Sequence, residues 1–176
     1  MTMPRPFRLQ ILYKLTEIIR TVSPTNGFYN DLSSEEAVVR GRIFIGDDEP
    51  VPMVAINEPP MAIEHLKTSP QNPSRSGDWD ILIQGWANTS VDAYSGTDYA
   101  YALAAEVQQA LASEKVKPTG RPGSGLGPNL LGFGPRISDM RIGAPVVRPP
   151  DETSAKACFY MILTLQISED ITKPFS

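Results

Sequence analysis

The sequence predicts an α+β fold, a mostly antiparallel sheet packed on one face by two helices in the order α-β-β-β-α-β-β. Three observations predict it. Residues 4–22 carry apolar side chains at the helical period. The segment from Ala155 to Ile167 alternates with the period of two that a half-buried strand requires. Between them, runs rich in β-branched residues are separated by Gly, Pro and Asp clusters. At 176 residues, 41% of them hydrophobic, the chain is long enough for one domain with a real core. No internal repeat is visible, and the linker-like loops are flanked by strands that need each other, so residues 1–176 read as one domain.

The first helix runs from about Pro4 to Val22. Phe7, Ile11, Leu12, Leu15, Ile18, Ile19 and Val22 fall within one arc of roughly 140°, while Gln10, Lys14, Glu17, Arg20 and Thr21 take the other side. Leu9 and Tyr13 lie outside the apolar arc and are candidates for contact with another subunit. Ser23-Pro24 stops the helix, because proline has no N–H to donate and disfavours helix in the residue before it. Val38–Ile45 and Val51–Asn57 read as two strands joined by a hairpin loop, Gly46 to Pro50. In the first, Val39, Ile43 and Ile45 share one face and Arg40 and Arg42 the other. Residues 58–77 are polar and proline-rich, a loop expected to move or to order on assembly. In a third strand, Trp79 to Ala87, Trp79, Ile81 and Ile83 lie on one side, with Asp78, Asp80, Leu82, Gln84 and Trp86 on the other. A second helix fits Asp98 to Ala112 with Thr97 as N-cap, its alanines allowing close approach to a sheet. A glycine-rich stretch over 117–135 follows, also expected to be mobile. Arg136–Val147 and Ala155–Ile167 complete the sheet, whose second face carries Arg40, Arg42, Asp78, Asp80, Asp139 and Arg141.

Composition narrows the function classes. The net charge is −4, so generic attraction to nucleic acid or to an anionic membrane has no support. No segment approaches the roughly 20 apolar residues of a membrane span, and the N-terminus has a helix pattern rather than the apolar run of a signal peptide. Cys158 is the single cysteine. An intramolecular disulfide and a multi-Cys zinc site are thereby excluded. The pattern points to a protein made and used in a reducing cytoplasm, or assembled there into something larger.

Candidate chemistry is sparse. His65, the single histidine, sits in a polar loop beside Glu64 with no nucleophile motif near it, and is read as a surface histidine. Asp47, Asp48 and Glu49 cluster as cation ligands can, without the alternating spacing of an EF-hand loop, and are read as a solvated loop tip. The run TGRPGSGLGPNLLGFG, Thr119 to Gly134, raises the question of a phosphate cradle. Gly120 and Gly125 have Walker spacing, yet Leu126 stands where lysine is needed. A dinucleotide fingerprint would follow a strand and open a helix, whereas this segment follows a helix and precedes a strand. Leu126, Leu130, Leu131 and Phe133 instead make it a loop that docks, either on a neighbouring subunit or on its own domain. Neither catalytic residues, nor a cofactor, nor a metal are expected.

Several segments together resemble the tail terminator, or tail completion, proteins of tailed bacteriophages. They are the amphipathic helix Arg5–Val22, the segment RGRIFIGDDEPVPMVAINEPP from Arg40 to Pro60, DWDILIQGWA from Asp78 to Ala87, and the alanine-rich TDYAYALAAEVQQALA that follows. The matches keep their order and spacing over about two-thirds of the chain, and none is a catalytic motif. The resemblance implies a tail-terminator-like α+β fold that closes into a ring, a hexamer, at the head-proximal end of the tail tube. Such a ring stops tube polymerisation and presents the surface for head or neck attachment. The implied partners are the chain itself, the tail tube protein, a neck or head-completion protein, and the sheath if the tail is contractile. DNA would pass through the lumen only as cargo, and the protein would reside at the tail–neck junction of the virion. Another neck or head–tail connector is the nearest alternative, and a small-ligand-binding protein or enzyme a more distant one. Rings need two different patches on each subunit. The candidates for subunit or tube contact are Leu9, Tyr13, Arg40, Arg42, Trp86, Leu130, Leu131, Phe133 and Arg136.

Overall fold

The computed structural model describes residues 4–60, 74–89, 95–116, 129–152 and 155–175. His65 and most of the glycine-rich run lie outside them. Helix α1 spans Phe7–Ile19 and buries Phe7, Ile11, Leu15, Ile18 and Ile19, the stripe expected from its periodicity. No side chain caps its start. The Phe7 N–H, one of the orphan donors of a helix N-terminus, donates instead to the Pro174 carbonyl at 2.8 Å. After α1 a short 3₁₀ turn, Pro24–Asn26, is closed by Gly27 at φ 86°.

The strands are β1 (Val38–Arg40), β2 (Met53–Asn57), β3 (Ser74–Ala87), β4 (Ile137–Ile142), β5 (Val146–Arg148) and β6 (Ala157–Asp170), and helix α2 spans Asp98–Val116. They form a six-stranded mixed, mostly antiparallel sheet ordered β1-β2-β3-β6-β4, with β5 also paired to β6. The sequence expectation of an α+β class with two helices on one face holds. The element order gains a strand, because the predicted 136–147 segment is interrupted. Residues 143–145 stand opposite only Met161 and Ile162 of β6, and the Gly143 N–H donates to the Ile162 carbonyl at 2.8 Å. A Cβ at 143 would lie 2.8 Å from that oxygen. Glycine is what allows the edge to bend without leaving β6.

Two further expectations are corrected. The first two strands form no hairpin, for β1 and β2 run parallel with Val38 opposite Val54. Gly41 at φ 74° turns the chain out of the sheet directly after Arg40. Residues 41–52 then pass over the second face before β2 begins, so Ile43 and Ile45, whose β-branching suggested a longer strand, are not in it. The loop expected over 58–77 is also shorter, since residues 74–77 already belong to β3 and pair with β6.

Strand alternation sorts the core. Ile81 and Ile83 of β3, Phe159, Met161, Leu163 and Leu165 of β6, and Ile137 and Met140 of β4 are buried with α1 and α2 on the inner face. From α2, Ala100, Leu103, Ala104, Val107 and Leu111 join them, alanine letting the helix approach closely. Leu130 and Leu131, in a 3₁₀ turn before β4, belong to this same core.

Candidate functional site

The outer face of the sheet has two halves. Over one half lies the segment 41–52, which we call the strap. Ile45 of the strap packs down on Met53, Ala55, Trp86 and Cys158 to make a second small core. Polar contacts hold the strap down. The Lys156 ammonium donates to the Gly46 carbonyl at 2.9 Å and to that of Glu49, Arg42 pairs with Glu49, and the Asn57 side chain donates to the Arg42 carbonyl at 2.7 Å. The Ala155 N–H donates to Asp47 at 3.1 Å. The carboxylates of Asp47 and Glu49, weighed as cation ligands, are thus engaged in fastening this segment. Among the described residues no three His, Cys, Asp or Glu side chains group as a metal would need.

At the strap's tip Ile43 is 60% and Phe44 79% exposed. Both line a small cavity with Gln84 and Tyr160. Tyr160 stands opposite Val146 of β5, and the cross-strand pair Gln84 and Tyr160 is the next outward-facing pair along the ladder from Leu82 and Ile162. Val146 and Ile162 are exposed as well. Ile43, Phe44, Val146 and Ile162 therefore share one outward surface, the kind of apolar patch that marks a contact site. Beyond it the second half of the face is charged. Arg141 pairs with Asp78 and lies 3.7 Å from Asp139, and these carboxylates hold the guanidinium above its ordinary pKa, the Asp78 hydrogen bond contributing most. The Thr164 hydroxyl donates to Asp80 at 2.6 Å.

A different arrangement occupies the opposite edge, where α1 meets β1. Arg40 stands in register with Ile56, whose side chain is in the inner core. It is thus on the helix side of the sheet, not on the outer face where the simple alternation put it, because the Val38–Val54 register sets the phase. Its guanidinium lies 3.9 Å from the centre of the Tyr13 ring, and that of Arg5 lies 3.7 Å from it. Arg40 also donates to the Thr16 hydroxyl at 2.8 Å. The neighbouring Arg20 donates to the carbonyls of Glu35, at 2.6 Å, and Val38, at 3.3 Å, covering acceptors near β1 that an edge strand otherwise exposes.

The structure separates the nine sequence candidates. Tyr13 and Arg40 come together at the α1–β1 edge, and Leu9 is half-buried on α1. Arg42 is tied into the strap. Trp86 is 3% exposed and lies beneath the strap, so it offers no surface to another molecule. Leu130 and Leu131 are corrected likewise, for at 5% and 2% exposure they fill the core of their own chain. Phe133 packs edge-on against Phe7, ring centres 5.5 Å apart, and the Arg136 guanidinium stacks 3.4 Å from the Phe7 ring centre. The described end of this loop, residues 129–136, docks on its own domain. Sequence reasoning missed Ile43, Phe44, Val146 and Ile162. For Ile162 the signal was present, since it falls on the outward phase of β6 among Tyr160, Thr164 and Gln166. No described helix is long and apolar enough to cross a membrane. Neither a family model nor a curated protein matches the chain.

Proposed function

We propose that the chain is a structural virion protein whose copies form a ring on the head-proximal end of a phage tail tube. The ring would halt tube growth and offer the surface to which a neck or head-completion protein attaches. The observation that carries this reading is the outer sheet face. Over one half a strap fastened by polar contacts holds out the exposed apolar groups Ile43 and Phe44, and the other half is exposed and charged. A surface held firmly in its contact geometry loses less entropy when a partner arrives, as an assembly protein requires. The ordered match of Arg5–Val22, Arg40–Pro60, Asp78–Ala87 and the alanine-rich helix to the tail terminator pattern supports the same reading. The tail-terminator form of the α+β fold, the hexameric symmetry and the location at the tail–neck junction are parts of this proposal.

The test is negative-stain microscopy of tail tubes polymerised from the same virus's tube protein, with and without the purified chain. Caps at one end and tubes of limited length are expected. Tubes that grow to the same length and carry bare ends in a molar excess of the chain would overturn the reading.

A further inference from the structure

Among the described residues a pair of guanidiniums and one carboxylate have no opposite charge within ion-pair range, and the two are complementary. On the α1–β1 edge, Arg5 and Arg40 flank Tyr13, and no described carboxylate lies within ion-pair range of either. A guanidinium has five N–H donors. Arg40 uses one, on Thr16, and stacking on the ring leaves the planar fork pointing past the ring edge, suited to a carboxylate. Close by, Lys14 is already paired with Glu17 at 3.1 Å, and Glu35 is exposed. On the outer face the converse holds. Asp78 has Arg141, and Asp139 has Arg141 and, at 4.0 Å, Lys115. Asp80 takes the Thr164 hydroxyl and feels the more distant charge of Arg141, with no described cation within ion-pair range. Beside it lie the exposed Ile162 and its half-buried neighbour Leu82.

The two sets cannot meet within one molecule. Arg40 is on the edge strand β1 and on the helix side, whereas Asp80 is on the outer face, two strands further in. A second copy brings them together, and since the two patches differ, the contact is head-to-tail, the kind that closes rings rather than two-fold dimers. We propose that the outer face around Asp80, Leu82 and Ile162 receives the Arg5–Tyr13–Arg40 edge of the next copy of this chain. The edge of the Tyr13 ring, between its two guanidiniums, meets the apolar pair and the guanidinium forks engage Asp80. This contact deepens the ring reading and rests on it for its closed geometry, though not for the pairing of the two surfaces. Charge complementarity fixes orientation and encounter rate, while the aromatic and aliphatic groups supply affinity.

The test uses charge reversal and recombination. One variant carries Arg5→Glu and Arg40→Glu, the other Asp80→Lys. Thermal melts followed by circular dichroism confirm folding, and Arg5→Glu alone, which leaves Arg40 in place, serves if the double variant melts early. By sedimentation velocity, the wild-type chain is expected to associate, and each variant to do so at least tenfold more weakly. Equimolar mixing of the two should restore association, because the carboxylates introduced on the edge of one then face the ammonium introduced on the outer face of the other. A wild-type chain monomeric up to about 1 mM, at the weak end of specific contacts, would overturn the proposal. Variants that associate as the wild type does, or a mixture no better than its components, would overturn it too. Tube capping by the same variants separates the two ideas. Unimpaired capping by both leaves the terminator reading standing and removes this contact. Head-to-tail association without capping keeps the contact and removes the terminator.

Discussion

The ring of Phe159 fills the space that a side chain at position 85 would take. A Cβ on Gly85 would sit 2.7 Å from Phe159 Cζ, and the two residues are directly opposite in the β3–β6 ladder. Because Phe159 is fully buried, its ring has nowhere to go without displacing neighbours. Gly85→Ala is therefore expected to lower the unfolding free energy by about 1–3 kcal/mol, the usual cost of overpacking, measured by urea titration. Pairing it with Phe159→Leu should cost less than the two single changes summed, and strict additivity would contradict the packing account. On the other side of the same two strands, the Cys158 sulfur and the Tyr160 hydroxyl are 3.5 Å apart. The two side chains share a hydrogen bond. That bond, with partial burial second, pushes the Tyr160 pKa up to about 12. The folded state holds a proton that the unfolded chain releases near pH 10, so this contribution to stability is intact below about pH 10 and is lost as pH rises toward 12. Cys158→Ala is expected to bring the Tyr160 ionisation down toward the ordinary tyrosine value. The difference in 295 nm absorbance titrations with and without Tyr160→Phe would reveal it, and an unchanged titration would refute the assigned cause.

Among the elements, the strap is the one whose form depends most on a single side chain. Lys156 is buried and its ammonium reaches two strap carbonyls. Hydrogen bonds from a charged donor contribute about 1.5–3 kcal/mol, and Lys156→Met would fill the same volume without them. Loss of that much from strap closure raises the open population about tenfold or more. Alkylation of Cys158, buried under the strap, should accelerate in proportion, while the global urea midpoint moves less. A rate equal to the wild type's would show that Lys156 does not hold the strap. The helices and the inner faces of β3 and β6 were legible in the sequence because their periodicity is enforced by one continuous core. Ala157, Phe159, Met161, Leu163 and Leu165 are all buried, as their alternation requires. The strap was not legible. Ile43 and Ile45 carry strand propensity, but Gly41's left-handed φ and the Lys156 contacts, more than a hundred residues away in sequence, override it. The phase of Arg40 was lost for the same reason, since only the pairing with β2 decides which side an edge residue takes. Tyr13 stood out from its place off the apolar arc of α1. Asp80 was read as ordinary sheet charge, because only the three-dimensional placement of Arg141, drawn to Asp78 and Asp139, leaves it without a described cation in ion-pair range.

Across the whole molecule, the two ends of the chain and the turn before β4 are clasped around Phe7. Its backbone N–H is bound by Pro174, its ring is packed by Phe133 and covered by Arg136, and next to it Arg8 pairs with Glu169 of β6 at 2.8 Å. The clasp ties α1 to the last strand and to the turn holding Leu130 and Leu131, which in turn reach the inner core. The small core under the strap shares β2, β3 and β6 with the large one. Trp79 and Trp86 stand on opposite faces of the same strand, one in each core. A molecule joined in this way should unfold as one unit, even though its two cores lie on opposite sides of the sheet. Phe7→Ala, which empties the centre of the clasp, is expected to cost about 3–5 kcal/mol. The cost should move every probe together. Far-UV circular dichroism, Trp79 fluorescence in a Trp86→Phe background and Trp86 fluorescence in a Trp79→Phe background should give superimposable urea transitions, shifted equally by Phe7→Ala. A Trp86 signal that keeps its midpoint while the helical signal falls would show that the strap core stands independently of the clasp. The outer face would then be held by the sheet alone, and its contact geometry would survive the loss of α1.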